Sequence, residues 1–116
     1  MSRHTQGRLE DILAAIRAIY SYRPSGPLTE GLVFDAIRMR LVEIGEAAAD
    51  LPDQVRRAEP EIAWRQIVAL RNLLTHRYCD TLIPEVTLVV DHDLAQLEAA
   101  AIRLLASDAN SQTDEA

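Results

Sequence analysis

The chain has 116 residues, 48% of them apolar and only 4% aromatic, with a net charge of −6. That length holds one domain around one hydrophobic core, and a core of Leu, Ile, Val and Ala suits packed helices better than a sheet. No apolar run nears the roughly 18 residues of a membrane span and no charged-then-apolar leader is visible, while the lone cysteine, Cys79, excludes an internal disulfide and fits a reducing cytoplasm.

The first element is a helix. Leu9, Ile12, Leu13, Ile16 and Ile19 recur at helical spacing, with Arg8, Glu10, Asp11 and Arg17 on the opposite face. The run Tyr22-Arg23-Pro24-Ser25-Gly26-Pro27 stops it. His4 lies ahead of the stripe, in an end expected to fray. A longer helix is predicted from near Thr29 to Asp50, striped by Val33, Ile37, Leu41, Ile44 and Ala48, with Leu51 and Pro52 at its end. Residues 53–58 allow one short polar turn of helix.

Pro60 is placed as the first residue of the third helix. This helix carries Ile62, Ala63, Ile67, Leu70 and Leu74 and is expected to reach at least His76, ahead of a Cys79-Asp80-Thr81 connector. Pro84 opens a fourth helix, with Val86, Val90, Leu94, Leu97, Ala101 and Leu104 on one face. From Ser107 onward the chain is small, polar and acidic. The fold class is therefore all-α: an antiparallel four-helix bundle over residues 1–106, followed by an acidic tail over 107–116 that is expected to be disordered.

The negative charge is not spread evenly. Residues 1–83 hold 11 Arg and 11 acids, whereas the remainder sets Arg103 against seven acids. All 12 basic residues are arginine, so every cation can make a planar forked contact to phosphate or carboxylate. Seven of them fall between residues 38 and 77, which permits a locally basic cleft in an acidic protein.

One arginine breaks the helical pattern. On a straight helix at about 100° per residue, with Ile67 at zero, Arg71 falls at about 40° and Tyr78 at about 20°, inside the apolar stripe. An unpaired buried charge is costly. Either Arg71 is paired internally, or it snorkels to water, or this face lines a cleft or a twofold interface. His76 sits about 140° from Arg71 on the same straight helix, so the two converge only if the helix bends or two copies meet.

The stretch Arg71-Asn72-Leu73-Leu74-Thr75-His76-Arg77-Tyr78 is similar to the signature of the HEPN superfamily: Arg, a polar residue, three more positions, then His. The tyrosine two residues after His resembles the narrower HepT-like branch of ribonuclease toxins. Ile44-Gly45-Glu46-Ala47-Ala48 and Trp64-Arg65-Gln66-Ile67 also look like this family, and the likeness covers roughly residues 8 to 105.

The resemblance implies a homodimer that places two motifs in one cleft and cuts RNA without a metal or other cofactor, through attack of the ribose 2′-hydroxyl on the adjacent phosphate. His76 would then move a proton near neutral pH, and Arg71 would hold the phosphate. Asn72 would orient His76 or the substrate. Glu46 is read either as part of a polar helix face or as a partner of an arginine at the cleft. Arg77 either adds a phosphate contact or caps the helix end. The resemblance further implies that a minimal nucleotidyltransferase antitoxin transfers AMP to Tyr78 and so blocks the cleft.

The other candidates are weaker. Asp91-His92-Asp93 resembles a metal cluster, yet consecutive helical residues point in different directions, so no metal site is expected. Cys79 is read as structural. Two further functions compete with the ribonuclease toxin. The first is a non-catalytic HEPN module that binds nucleotides or serves as helper subunit of a nucleotidyltransferase. The second is a ligand-free helical assembly subunit, which leaves Arg71 and Tyr78 unexplained.

Overall fold

The computed structural model describes the backbone of residues 1–76 and 79–115 and the side chains of 1–76 and 81–109. Ser2 opens the first helix: its hydroxyl accepts from the Thr5 amide at 3.1 Å, satisfying one of the free N–H groups of the first turn. Helix α1 (Arg3–Tyr22) buries Leu9, Ile12, Ile16 and Ile19 and ends in a tight 3-10 turn, Arg23–Ser25. Helices α2 (Gly31–Ala49), α3 (Asp53–Arg57) and α4 (Trp64–Leu74) follow. A second 3-10 turn (Cys79–Leu82) leads into α5 (Ile83–Leu88), a π turn (Val89–Asp93) and α6 (Leu94–Glu115), which together form the fourth leg. No strand occurs among the described residues.

Long-range polar contacts fix the directions of the legs. His4 at the start of α1 lies 2.5 Å from Asp50 past the end of α2, and Arg23 at the far end of α1 pairs with Asp91 at 3.2 Å. Arg38 of α2 reaches the last carbonyl of α4, at Leu74. Neighbouring legs are thus antiparallel, with α1 between α2 and α6, and α4 resting on the other flank of α2. The core combines the α1 stripe with Ile37, Leu41, Ile44 and Ala48 of α2 and with Val86, Val90, Leu94 and Leu97 of the last leg. The spacing of four between Val86, Val90 and Leu94 over-rotates on a regular helix of 3.6 residues per turn. The π turn takes up that excess and keeps all three buried.

Four expectations from the sequence are corrected. The third long helix starts at Trp64, not Pro60, because Ala63 leaves helical geometry (φ −81°, ψ 66°). The Trp64 indole donates to the Arg56 and Glu59 carbonyls, each at 3.1 Å, which ties the intervening turn back onto α3. The same helix stops at Leu74, two residues short of His76. There the His76 amide bonds three residues back, to Leu73, and winds the end tighter. His4 lies within α1 and engages Asp50, so it is not in a frayed end.

The fourth correction concerns the acidic tail. Helix α6 continues through Ser107 to Glu115. Composition favoured an end at Ser107, but Asp108 is buried and docks on α1, accepting from the Gln6 amide at 2.5 Å and pairing with the Met1 amino group at 3.1 Å. The Gln6 bond and then the amino group hold the Asp108 carboxyl below its ordinary pKa. A carboxylate lowered in this way lends stability above its unfolded pKa, and that stability is lost as pH falls through the folded value. Thermal melts of wild type and Asp108→Asn should therefore differ by a constant offset near neutrality. The offset should shrink once the pH drops below about 4; an offset that persists unchanged at low pH would refute this assignment.

Among the described residues no helix is long and apolar enough to cross a membrane.

Candidate functional site

The site starts from the crossing of α2 and α4. A Cβ built on Gly45 would lie 2.3 Å from Arg71 Cβ, 3.0 Å from its Cγ and 3.3 Å from the Ile67 carbonyl oxygen. Only a residue without a side chain lets the two helices approach this closely. The stem of Arg71 therefore lies on the bare backbone of Gly45, which explains how an arginine occupies the apolar stripe. Its head turns out along the helix, and Nε donates to Asn72 Oδ1 at 3.0 Å.

The end of α4 is closed by two further bonds. Thr75 Oγ1 donates to the Asn72 carbonyl at 2.8 Å, and Arg38 Nη1 donates to the Leu74 carbonyl at 3.1 Å. A helix C-terminus carries a partial negative charge that repels phosphate. Arg38, arriving from α2, offsets that charge where an anion would have to approach. Asp35 Oδ1, 3.7 Å from Arg38 Nε, helps hold the side chain in place. His76 follows two residues beyond the helix end and is exposed. The 140° separation of a straight helix does not apply to it.

The structure thus joins Arg71 and Asn72 by a hydrogen bond and sets His76 just past the end of their helix. It does not join Glu46 to Arg71. Glu46 is exposed and lines a different concavity, about 380 Å³ on the α1–α2 side, with Arg8, Arg40 and Glu43. The expected sites at Arg77 and Tyr78 lie outside the described residues, as does the Cys79 side chain. Asp91, His92 and Asp93 do not converge as a group of three: His92 meets Asp93 at 2.8 Å, whereas Asp91 pairs with Arg23.

Sequence reasoning missed Arg38, whose only visible signal is an i, i+3 spacing to Asp35 of the kind that decorates any solvated helix. It also missed the reason for Gly45, although a glycine inside a long helix costs about 1 kcal/mol relative to alanine and marks a close approach.

The all-helical bundle is consistent with the all-α fold of the HEPN superfamily. The sequence model described as "Ribonuclease HepT-like" matches residues 9–104, from the first core residue of α1 to Leu104 in α6. The chain belongs to this HepT-like family. It is similar to a curated relative, "Probable ribonuclease HepT" of Thermococcus cleftensis, at 29% identity over 108 residues, which cover 84% of this chain and 93% of the relative. No solved structure gives a significant match.

Proposed function

We propose that this chain is the toxin of a toxin–antitoxin pair, an endoribonuclease that cuts RNA without metal. The observation that carries the reading is Arg71, seated on Gly45, bonded to Asn72 and followed by an exposed His76, in a chain that matches a ribonuclease family over most of its length. In this mechanism His76 takes the proton of a ribose 2′-hydroxyl as the 2′-oxygen attacks the adjacent phosphorus. The bond from phosphorus to the 5′-oxygen breaks, and that oxygen leaves with a proton given by the protonated His76 of the second copy or by water. The products are a 2′,3′-cyclic phosphate and a 5′-hydroxyl. Arg71 neutralises charge that builds on the phosphate oxygens, and Asn72 holds the guanidinium in place.

The active form is a homodimer that sets two motifs in one cleft. A groove of about 410 Å³ between α4 and the last leg supports association of two copies, because it leaves Leu73 48% and Leu88 62% exposed, apolar area that a second copy would cover. Control comes from a nucleotidyltransferase partner that places AMP on Tyr78. The added bulk and negative charge beside the motif would compete with RNA for the same cation.

Two measurements test the reading. Purified chain should cut RNA in the presence of a chelator and leave 2′,3′-cyclic phosphate ends. Co-expressed with the nucleotidyltransferase, it should gain mass in AMP units, and Tyr78→Phe should abolish the gain. Absence of cleavage together with AMP transfer to Tyr78 would instead favour a non-catalytic helper subunit, the reading that the net charge of −6 supports.

A further inference from the structure

The flank of α4 opposite the apolar groove is basic. Arg56 and Arg57 of α3 and Arg65 of α4 border a concavity of about 590 Å³ floored by Ala49 and Val68. Among the described residues that line it Asp53 is the one carboxylate, so three arginines and one acid give a local charge of +2 in a chain of −6. Arg56 is held by Asp53. Arg57 lies 3.8 Å from the same carboxylate with its side chain 78% exposed, a pairing too weak and solvated to keep it from a stronger anion. Arg65 is exposed and makes no ion pair among the described residues.

The register of α4 connects this concavity to the reacting end. Arg65 and Asn72 are seven residues apart, which is about 20° around the helix and about 10 Å along it. A strand whose phosphate sits at Arg71 and Asn72 therefore meets Arg65 after a short run of backbone if it follows the same face of α4. The other flank is closed to it, because Glu61, Glu85 and Asp93 rim the apolar groove. Trp64 also lines the concavity, but it is largely buried and its N–H is engaged by two carbonyls, so the exposed polar groups on offer there are the guanidiniums. The exposed forked guanidiniums of Arg57 and Arg65 match phosphate oxygens, and contacts of that kind position a strand without reading its sequence.

The geometry points to a second, sequence-tolerant phosphate subsite formed by Arg57 and Arg65, which grips the backbone of RNA extending past the scissile bond. This subsite rests on the ribonuclease reading above and adds a length preference to it. Binding of 2′-O-methyl RNA, which lacks the attacking hydroxyl and is not cut, tests it directly. The Arg57→Ala/Arg65→Ala chain should bind a dodecamer about tenfold or more weakly than wild type does, while a trimer binds equally to both. Its plot of log affinity against log salt should be shallower by about 1.4, the value for two lost phosphate contacts on a single strand. Unchanged dodecamer binding, or equal weakening of trimer and dodecamer, would overturn the subsite. The two readings separate cleanly. Cleavage that depends on His76 but binding indifferent to Arg57 and Arg65 removes the subsite alone, whereas length-dependent binding without cleavage of ordinary RNA keeps the subsite and removes the chemistry.

Discussion

Alanine at His76 should reduce RNA cleavage by about a hundred- to ten-thousand-fold, the usual contribution of a positioned proton-transfer group. Alanine at Arg71 should cost about a hundred- to a thousand-fold by withdrawing the charge that stabilises the phosphate. The two substitutions differ in what else they disturb. His76 is exposed and beyond the end of α4, so its removal should leave stability within about 0.5 kcal/mol of wild type. Arg71 packs its stem on Gly45, so truncation also uncovers the helix crossing and should lower the melting temperature slightly. Arg71→Lys separates these effects. It keeps the stem and the charge but lacks the planar fork, so it should restore stability while recovering only part of the cleavage. Circular dichroism melts beside cleavage rates decide the matter. Full cleavage by His76→Ala, or unfolding of both alanine variants, would remove these residues from the chemistry.

The parts of the fold that were legible in the sequence are those whose cause is local. The stripes of α1, α2 and the last leg appear at their expected positions, because each buries one face against the same core. The ends of α4 were not legible. Its start depends on the Trp64 indole reaching back to α3, and its last carbonyl is taken by Arg38, 36 residues earlier in the chain. The continuation of α6 depends on a bond between Asp108 and Gln6, 102 residues apart, against which a polar composition carries no signal. The candidate site drew notice in the sequence through its residue types, and its geometry was only partly legible there. Arg71 stood out as a charge in an apolar stripe, but the explanation lay in the glycine that faces it. The pairing considered for Glu46 fails because Glu46, next to Gly45 on α2, faces α1 and not α4.

Gly45→Ala should therefore weaken the protein, against the expectation from helix propensity. In an exposed helix interior, replacing glycine with alanine gains about 1 kcal/mol. At Gly45 the new methyl would meet Arg71 Cβ at 2.3 Å, with the Ile67 carbonyl oxygen 3.3 Å away. Neither atom is the free end of a flexible chain, so α4 itself must move away from α2. Such overpacking costs about 1–3 kcal/mol, which cancels the propensity gain and in most of that range exceeds it. For a domain of this size each net kcal/mol lost lowers the melting temperature by about 3–6 °C. Cleavage should fall further than stability, because a displacement of about 1 Å in a positioning group can cost about a hundredfold. A second substitution identifies the cause. Arg71→Ala retains the Cβ that clashes and should not restore the stability of Gly45→Ala. Arg71→Gly removes that atom, so the Gly45→Ala/Arg71→Gly chain should be more stable than the sum of the two single changes allows. Thermal melts of the single and double variants measure this coupling. A Gly45→Ala chain that melts higher than wild type and still cleaves RNA would show that the α2–α4 crossing tolerates a side chain, and that Arg71 does not depend on Gly45 for its place.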